Sequence, residues 1–226
     1  MPAPALTRRL AAEFIGTSLL LTGVIGSGIM AQRLTDDTAV QLLANAAATV
    51  GVLYAIIVMF APVSGAHFNP AVTLADTLLG ARPWSDVGPY VLAQTAGGIV
   101  GAIVANLMFG LDAVNMSTRV RDGGGQYLGE VVATFGLVLL IFCLVRTARG
   151  DLAASGVAAY IGGAYWFTSS TSFANPAVTV SRALSDTFAG IDPSSVPVFV
   201  AMQLIGVALA VGVVRLIYPT PESTDA

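Results

Sequence analysis

The sequence predicts an all-α integral membrane protein: six transmembrane helices plus two re-entrant half-helices, built as an inverted 3+3 repeat. Three observations predict it. The 226-residue chain is 55% hydrophobic and only 10% charged, too apolar for a soluble domain of that size. Its charges fall in gaps between six apolar stretches, near 10–32, 42–63, 88–111, 126–148, 151–168 and 195–218, most of them close to the roughly 20 residues a helix needs to cross a bilayer core. The pentapeptide Asn69-Pro70-Ala71-Val72-Thr73 returns unchanged as Asn175-Pro176-Ala177-Val178-Thr179, the mark of an internal repeat.

The first stretch follows Arg8 and Arg9 at full spanning length with no small-residue cleavage site, so it reads as a helix of the protein and not as a signal peptide. Across all six stretches the one cysteine, Cys143, rules out a disulfide framework or a Cys-rich metal site. All ten basic residues are arginine. If the helices alternate, Arg8, Arg9, Arg82, Arg146, Arg149 and Arg215 fall on one side, which the positive-inside rule makes cytoplasmic, and both termini lie there. Arg33, Arg119 and Arg121 fall on the other side, and Arg182 lies in an apolar segment. A net charge of −3 without a basic patch excludes nucleic acid as a partner.

The repeat extends beyond the pentapeptide. Glu13 with Thr17 matches Glu130 with Thr134, and Gln94 ahead of Gly98 resembles Gln203 ahead of Gly206. The chain 1–226 is thus one domain of two repeats, 8–111 and 126–218. Three helices per repeat is an odd number, so the second repeat enters from the opposite side. Such folds place the substrate site where the repeats meet.

Residues 69–79 are apolar but, at about 1.5 Å per residue, span only half the bilayer core. They predict a half-helix: Asn caps its start, Pro at the first position loses no hydrogen bond, and Gly80 with Arg82-Pro83 stops it. The second copy is expected to run from Asn175 toward Gly190. Two helix N-termini then face each other, each with roughly half a positive charge, and each Asn, its oxygen occupied as a cap, keeps its amide free to donate to a passing hydroxyl. The lead-in loops Ser64-Gly65-Ala66-His67 and Ser169-Ser170-Thr171-Ser172 are expected to offer carbonyls opposite those donors, since irregular backbone at this depth belongs on a wet cavity. Neutral solutes are served and cations repelled.

At these residues the chain resembles the aquaporin (major intrinsic protein) family over nearly its whole length: the two Asn-Pro-Ala boxes, the Ser-Gly-Ala-His lead-in and the repeated Glu and Gln all fit. The resemblance implies a homotetramer in the cell membrane, taken as a bacterial inner membrane, with one pore per subunit, no enzymatic activity, no cofactor, and small neutral solutes as the partners besides lipid. It makes Asn69, Pro70, Ala71, Asn175, Pro176 and Ala177 the pore motifs. Family members usually carry arginine right after the second box, where this chain has Val178. Counting from the boxes, the other filter positions are Thr49, Gly163 and Ser172, so neither an aromatic ring nor a guanidinium is expected in the filter, which should be wide and weakly polar. That pattern is similar to a bacterial branch associated with arsenic resistance, and the resemblance implies neutral arsenous acid, a three-hydroxyl mimic of glycerol, as a substrate.

Single residues have bland readings beside sharper ones. Glu13 and Glu130 are expected to buttress the half-helix loops, as in the family, and not to carry protons. His67 is expected to pack and hydrogen-bond beside its loop; its sharper reading is a pH sensor. Arg182, seven residues past Asn175, either pairs with Asp186 at i+4 or supplies a cation to the outer vestibule. Gly97 and Gly101 suit close helix approach, Trp166 suits an interface, and the tail from Pro219 to Ala226 reads as polar and mobile. The leading function is a passive channel for neutral solutes wider than water. The alternatives are an orthodox water or glycerol facilitator, a transporter coupled to protonation of Glu13 or Glu130, or a protein that only assembles.

Overall fold

In the computed structural model the described residues are 4–218; the tail from Pro219 onward lies outside them. Among the described residues there is no strand, and six long helices are present: α1 Leu6–Leu34, α2 Thr38–Ser64, α4 Trp84–Met108, α5 Gly124–Arg146, α6 Ala153–Phe167 and α8 Val196–Ile217. Two short helices, α3 Pro70–Leu78 and α7 Pro176–Arg182, lie between them. Five of the long helices are long and apolar enough to cross a membrane. α6 has only 15 residues and is extended at its start by a 3₁₀ turn, Gly150–Leu152.

Local chemistry sets the helix ends. Asp37 Oδ1 accepts from the Ala39 and Val40 amides at 2.8 and 3.2 Å to cap α2. Gly65 ends that helix at φ +90°, a left-handed conformation that glycine takes without a Cβ penalty.

Each repeat is assembled the same way. α1 packs on α2 and α4, and α5 packs on α6 and α8. The α1–α4 approach is backbone-close: a Cβ on Gly97 would lie 2.2 Å from the Phe14 carbonyl oxygen, and one on Gly101 would lie 2.2 Å from that of Ser18. Gly206 approaches α5 likewise, its Cβ position lying 2.7 Å from the Val131 carbonyl oxygen. Gly97, three residues after Gln94, is therefore the counterpart of Gly206, where the sequence comparison had aligned Gly98. Large apolar side chains such as Leu92, Leu128 and Leu216 cover the outside.

Arginines mark the two ends of the bundle. At one, Arg9 pairs with Asp86 at 2.7 Å, Arg82 with Asp76 at 3.0 Å, and Arg215 donates to the Leu78 carbonyl at 2.6 Å. At the other, Arg119 and Arg121 donate to the carbonyls of Phe188 and Gly190. The expected run of the second short helix to Gly190 is not found: α7 stops at Arg182. The end of α4 and the connection after it supply the reason, because Asn106, Asn115 and Ser117 donate to the carbonyls of Leu184 and Ala183 that a continuing helix would use.

Candidate functional site

Both boxes start their helices as capping chemistry requires. Asn69 Oδ1 accepts from the Ala71 amide at 2.9 Å, and Asn175 Oδ1 accepts from Ala177 and Val178 at 3.0 and 3.2 Å. Pro70 and Pro176 take the first helical position. The amide groups are not wholly free, as the sequence suggested. Asn69 Nδ2 donates to the Ala174 carbonyl and Asn175 Nδ2 to the Phe68 carbonyl, each at 2.8 Å. One N–H of each amide remains, and both asparagines line the lumen.

The two lead-in loops share one backbone pattern. Gly65, Ala66 and Phe68 have positive φ, and so do Thr171, Ser172 and Ala174, each at the offset that separates Asn69 from Asn175. Left-handed backbone in non-glycine residues persists only where the surroundings hold it, and two buried glutamates do so. Glu13 accepts from Ser64 Oγ at 2.6 Å, the His67 and Phe68 amides at 3.0 and 2.7 Å, and Gln94 Nε2 at 2.7 Å. Glu130 accepts from the Phe173 and Ala174 amides, each at 2.9 Å, and from Gln203 Nε2 at 2.6 Å. Gln94 and Gln203 each also reach the box threonine, Thr73 at 3.0 Å and Thr179 at 2.8 Å. With the amides turned toward the glutamates, the carbonyls of Gly65, Ala66, His67, Ser172 and Phe173 accept no hydrogen bond among the described residues, and all five residues line the lumen. His67 Nδ1 lies 3.0 Å from Thr73 Oγ1, and its Nε2 lies 3.5 Å from Asp76.

The lumen is a cavity of about 340 Å³ reaching from Asp76, Arg82 and Gly150 to Tyr165 and Arg182. Its wall is built from helical stripes. α2 gives Thr49, Leu53, Ile57 and Ala61; α6 gives Ala153, Val157, Ile161 and Tyr165. Both have the i, i+4 spacing that puts residues on one helix face. α1 adds Leu20 and Val24, and α5 adds Leu137 and Ile141. Apolar walls with a line of backbone acceptors and two amide donors suit uncharged solutes that carry hydroxyl groups.

Of the four counted filter positions, Thr49, Ser172 and Val178 lie on this wall. Gly163 does not. It is exposed on α6, where an added Cβ would face Phe167 at 3.8 Å. Two residues from Tyr165 is about 200° around a helix, so Gly163 belongs to the outer face shared by Tyr160 and Phe167, whose rings meet edge to face with centroids 5.9 Å apart. Tyr165 takes the lumen position, its hydroxyl 3.1 Å from Thr49 Oγ1.

Arg182 also reaches the lumen, one turn beyond Val178. Its expected partner Asp186 instead accepts from the Thr118 amide at 2.9 Å and the Thr118 hydroxyl at 3.2 Å. This end of the lumen therefore holds an aromatic hydroxyl and a guanidinium, contrary to the weakly polar filter read from four positions. Asp76, Arg82 and Phe173 also line the cavity and were missed in the sequence. Asp76 had a signal, since it follows Asn69 by the seven residues that separate Arg182 from Asn175.

Comparison with known proteins accords with this geometry. Residues 2–171 match the family described as Major intrinsic protein. The chain is 48% identical over 210 residues to aquaglyceroporin AqpS of Rhizobium meliloti (strain 1021), covering 93% of this chain and 90% of that protein. It is 33% identical over 147 residues to a glycerol uptake facilitator protein of Streptococcus pneumoniae (strain ATCC BAA-255 / R6), covering 58% of this chain and 62% of that protein. The aquaglyceroporin from Plasmodium falciparum shares the fold, with a TM-score of 0.71 at 18% identity over 94% of this chain and 97% of that one. The chain belongs to the major intrinsic protein family of multi-pass membrane channels.

Proposed function

We propose that this channel passes uncharged, hydroxyl-bearing solutes wider than water, glycerol-like polyols and three-hydroxyl arsenous acid among them, with water as a companion. The observation that carries the reading is Val178 on the lumen wall three residues past Asn175, where a longer, charged side chain would reach across the aperture. With Thr49, Tyr165 and Ser172 around it, this end of the lumen offers hydroxyl groups and one apolar face. The central donors are Asn69 and Asn175, and the acceptors are the loop carbonyls. The relatives named as an aquaglyceroporin and a glycerol facilitator support the polyol class.

Glu13 and Glu130 spend their carboxylate oxygens on loop amides and glutamines, which favours a loop-holding role over a proton path. The arginine distribution supports placing both termini and the Arg82 end in the cytoplasm, with Arg182 at the outer mouth. The family supports a homotetramer in a bacterial inner membrane.

The test is stopped-flow light scattering on proteoliposomes with water, glycerol and arsenous acid, comparing the native protein with Val178→Arg. Fast influx of both solutes in the native protein, lost with the arginine while water flux persists, is the expected result. Water flux without solute influx in the native protein would make it a water channel.

A further inference from the structure

The two short helices present the same face to the lumen in the same register. Asn69, Val72 and Asp76 line it from α3, and Asn175, Val178 and Arg182 line it from α7, at i, i+3 and i+7 in each case. The third member of each set is charged, acidic in one and basic in the other. The repeat thus puts opposite charges at equivalent places near the two ends of the pore.

Their surroundings differ. Asp76 is neutralised: Arg82 Nε donates to its Oδ2 at 3.0 Å, and His67 Nε2 lies 3.5 Å from the same oxygen. Arg182 is not. The residue is 2% exposed, its Nε donates to the Ala189 carbonyl, and its guanidinium carbon sits 3.5 Å from the centroid of the Phe173 ring. Among the described residues no carboxylate pairs with it, and no acceptor there takes a hydrogen bond from its two terminal nitrogens. Arg121 shows what a purely structural arginine does nearby. It too reaches the Phe173 ring, at 4.7 Å, but its Nε and Nη1 go to the carbonyls of Gly190 and Ser170, and it is not on the lumen wall.

A buried cation with no ion-pair partner is costly and is kept where its field or its donors are used. Ser172 Oγ, on the same stretch of wall, is also buried and without a partner. We propose that Arg182 is the charge-selecting and solute-docking residue of this mouth: its field repels cations, and its terminal N–H groups, with Ser172 Oγ, bind the oxygens of an incoming hydroxylated solute. It stands one turn outward of Val178, so it acts before the aperture without narrowing it. Asp76, its counterpart, has its charge held by Arg82 and imposes no matching barrier to anions.

This inference rests on the channel reading, and the test separates the two. Glycerol influx and sodium leak are measured on the same proteoliposomes for the native protein, Arg182→Gln, Arg182→Lys and the double variant Val178→Arg/Arg182→Gln. The native protein should take up glycerol without leaking sodium, and Arg182→Gln should raise the leak roughly ten-fold or more. The double variant, with its guanidinium returned one turn inward, should exclude sodium again while losing glycerol influx, a rescue that a structural role would not produce. Arg182→Lys keeps the charge but loses the planar fork, so it should exclude sodium and need a several-fold higher glycerol concentration for half-maximal influx. If Arg182→Gln does not fold, Arg182→Lys decides, and an unchanged half-maximal concentration there overturns the proposal. Native vesicles that take up no glycerol overturn the channel reading itself. Native vesicles that do, beside an Arg182→Gln variant that leaks no more sodium, overturn only the role of Arg182.

Discussion

Thr49 and Tyr165 share a 3.1 Å hydrogen bond between their hydroxyl oxygens although 116 residues separate them. Thr49 has one hydroxyl hydrogen and gives it to the Asn45 carbonyl at 2.8 Å, so the phenol hydrogen goes to Thr49. Tyr165 is left with lone pairs free on the lumen side. It can thereby accept from a hydroxyl in the lumen, and it ties α2 of one repeat to α6 of the other.

Tyr165→Phe keeps the ring and removes both roles. Loss of one buried hydrogen bond should cost about 1 kcal/mol of stability, read as a lower melting temperature in detergent. Glycerol influx should fall several-fold with water flux nearly unchanged. An equal fall in both would mean that the pore had collapsed.

Asn69→Asp turns the donor that faces the Ala174 carbonyl into a second acceptor. The lost bond and the opposed oxygens should destabilise the protein by roughly 1–3 kcal/mol, and Asn175→Asp, facing the Phe68 carbonyl, should cost a similar amount. Both variants should also leak cations, since a carboxylate at the centre attracts what the amides exclude. Unchanged sodium conductance in a folded variant would count against amide donation as the central selectivity device.

Glu130→Gln puts an amide where Phe173, Ala174 and Gln203 all present donors. At least one donor must then face an N–H₂, at a cost of roughly 3 kcal/mol or more for a fully buried group. Poor recovery of folded protein is the expected result, and Gln203→Glu should not rescue it, because the Phe173 and Ala174 amides would still lack a full acceptor.

Gly97→Ala would bring a methyl within 2.2 Å of the Phe14 carbonyl oxygen, where backbone and not a movable side chain must yield. α1 and α4 should separate, with loss of folded protein on size-exclusion chromatography. Gly110→Ala meets no neighbouring atom, although its φ of +71° still strains an alanine; it should give more folded protein than Gly97→Ala.

The parts legible in the sequence were those whose chemistry is local or repeated. An Asn-Pro pair at the start of a helix explains itself by capping, and two such pairs with matched Glu and Gln fix the inverted architecture. Close packing at Gly97 and Gly101 also follows from their spacing. The wall of the pore was harder to read. Counting back from the second box chose Gly163, whereas the stripe Ala153, Val157, Ile161, Tyr165 chooses the face that the lumen sees. The length of α7 was misread because donors from residues 106–117, remote in sequence, take the carbonyls at which the helix ends. The pairing state of Arg182 was likewise hidden, since Thr118 takes the carboxylate that helix spacing had offered to the arginine.

The crossed bonds from Asn69 to Ala174 and from Asn175 to Phe68 have a consequence for biogenesis. Their partners lie 105 and 107 residues apart along the chain. A nascent protein with only its first three spanning helices inserted holds the Phe68 carbonyl and an Asn69 hydrogen unmatched in an apolar medium, a state that lipid cannot satisfy. Neither half is a finished unit on its own. The crossed bonds can close only once the second half is in place. A truncation or ribosomal stall after the first half should therefore yield a chain for membrane quality control to remove, and not a half-sized pore.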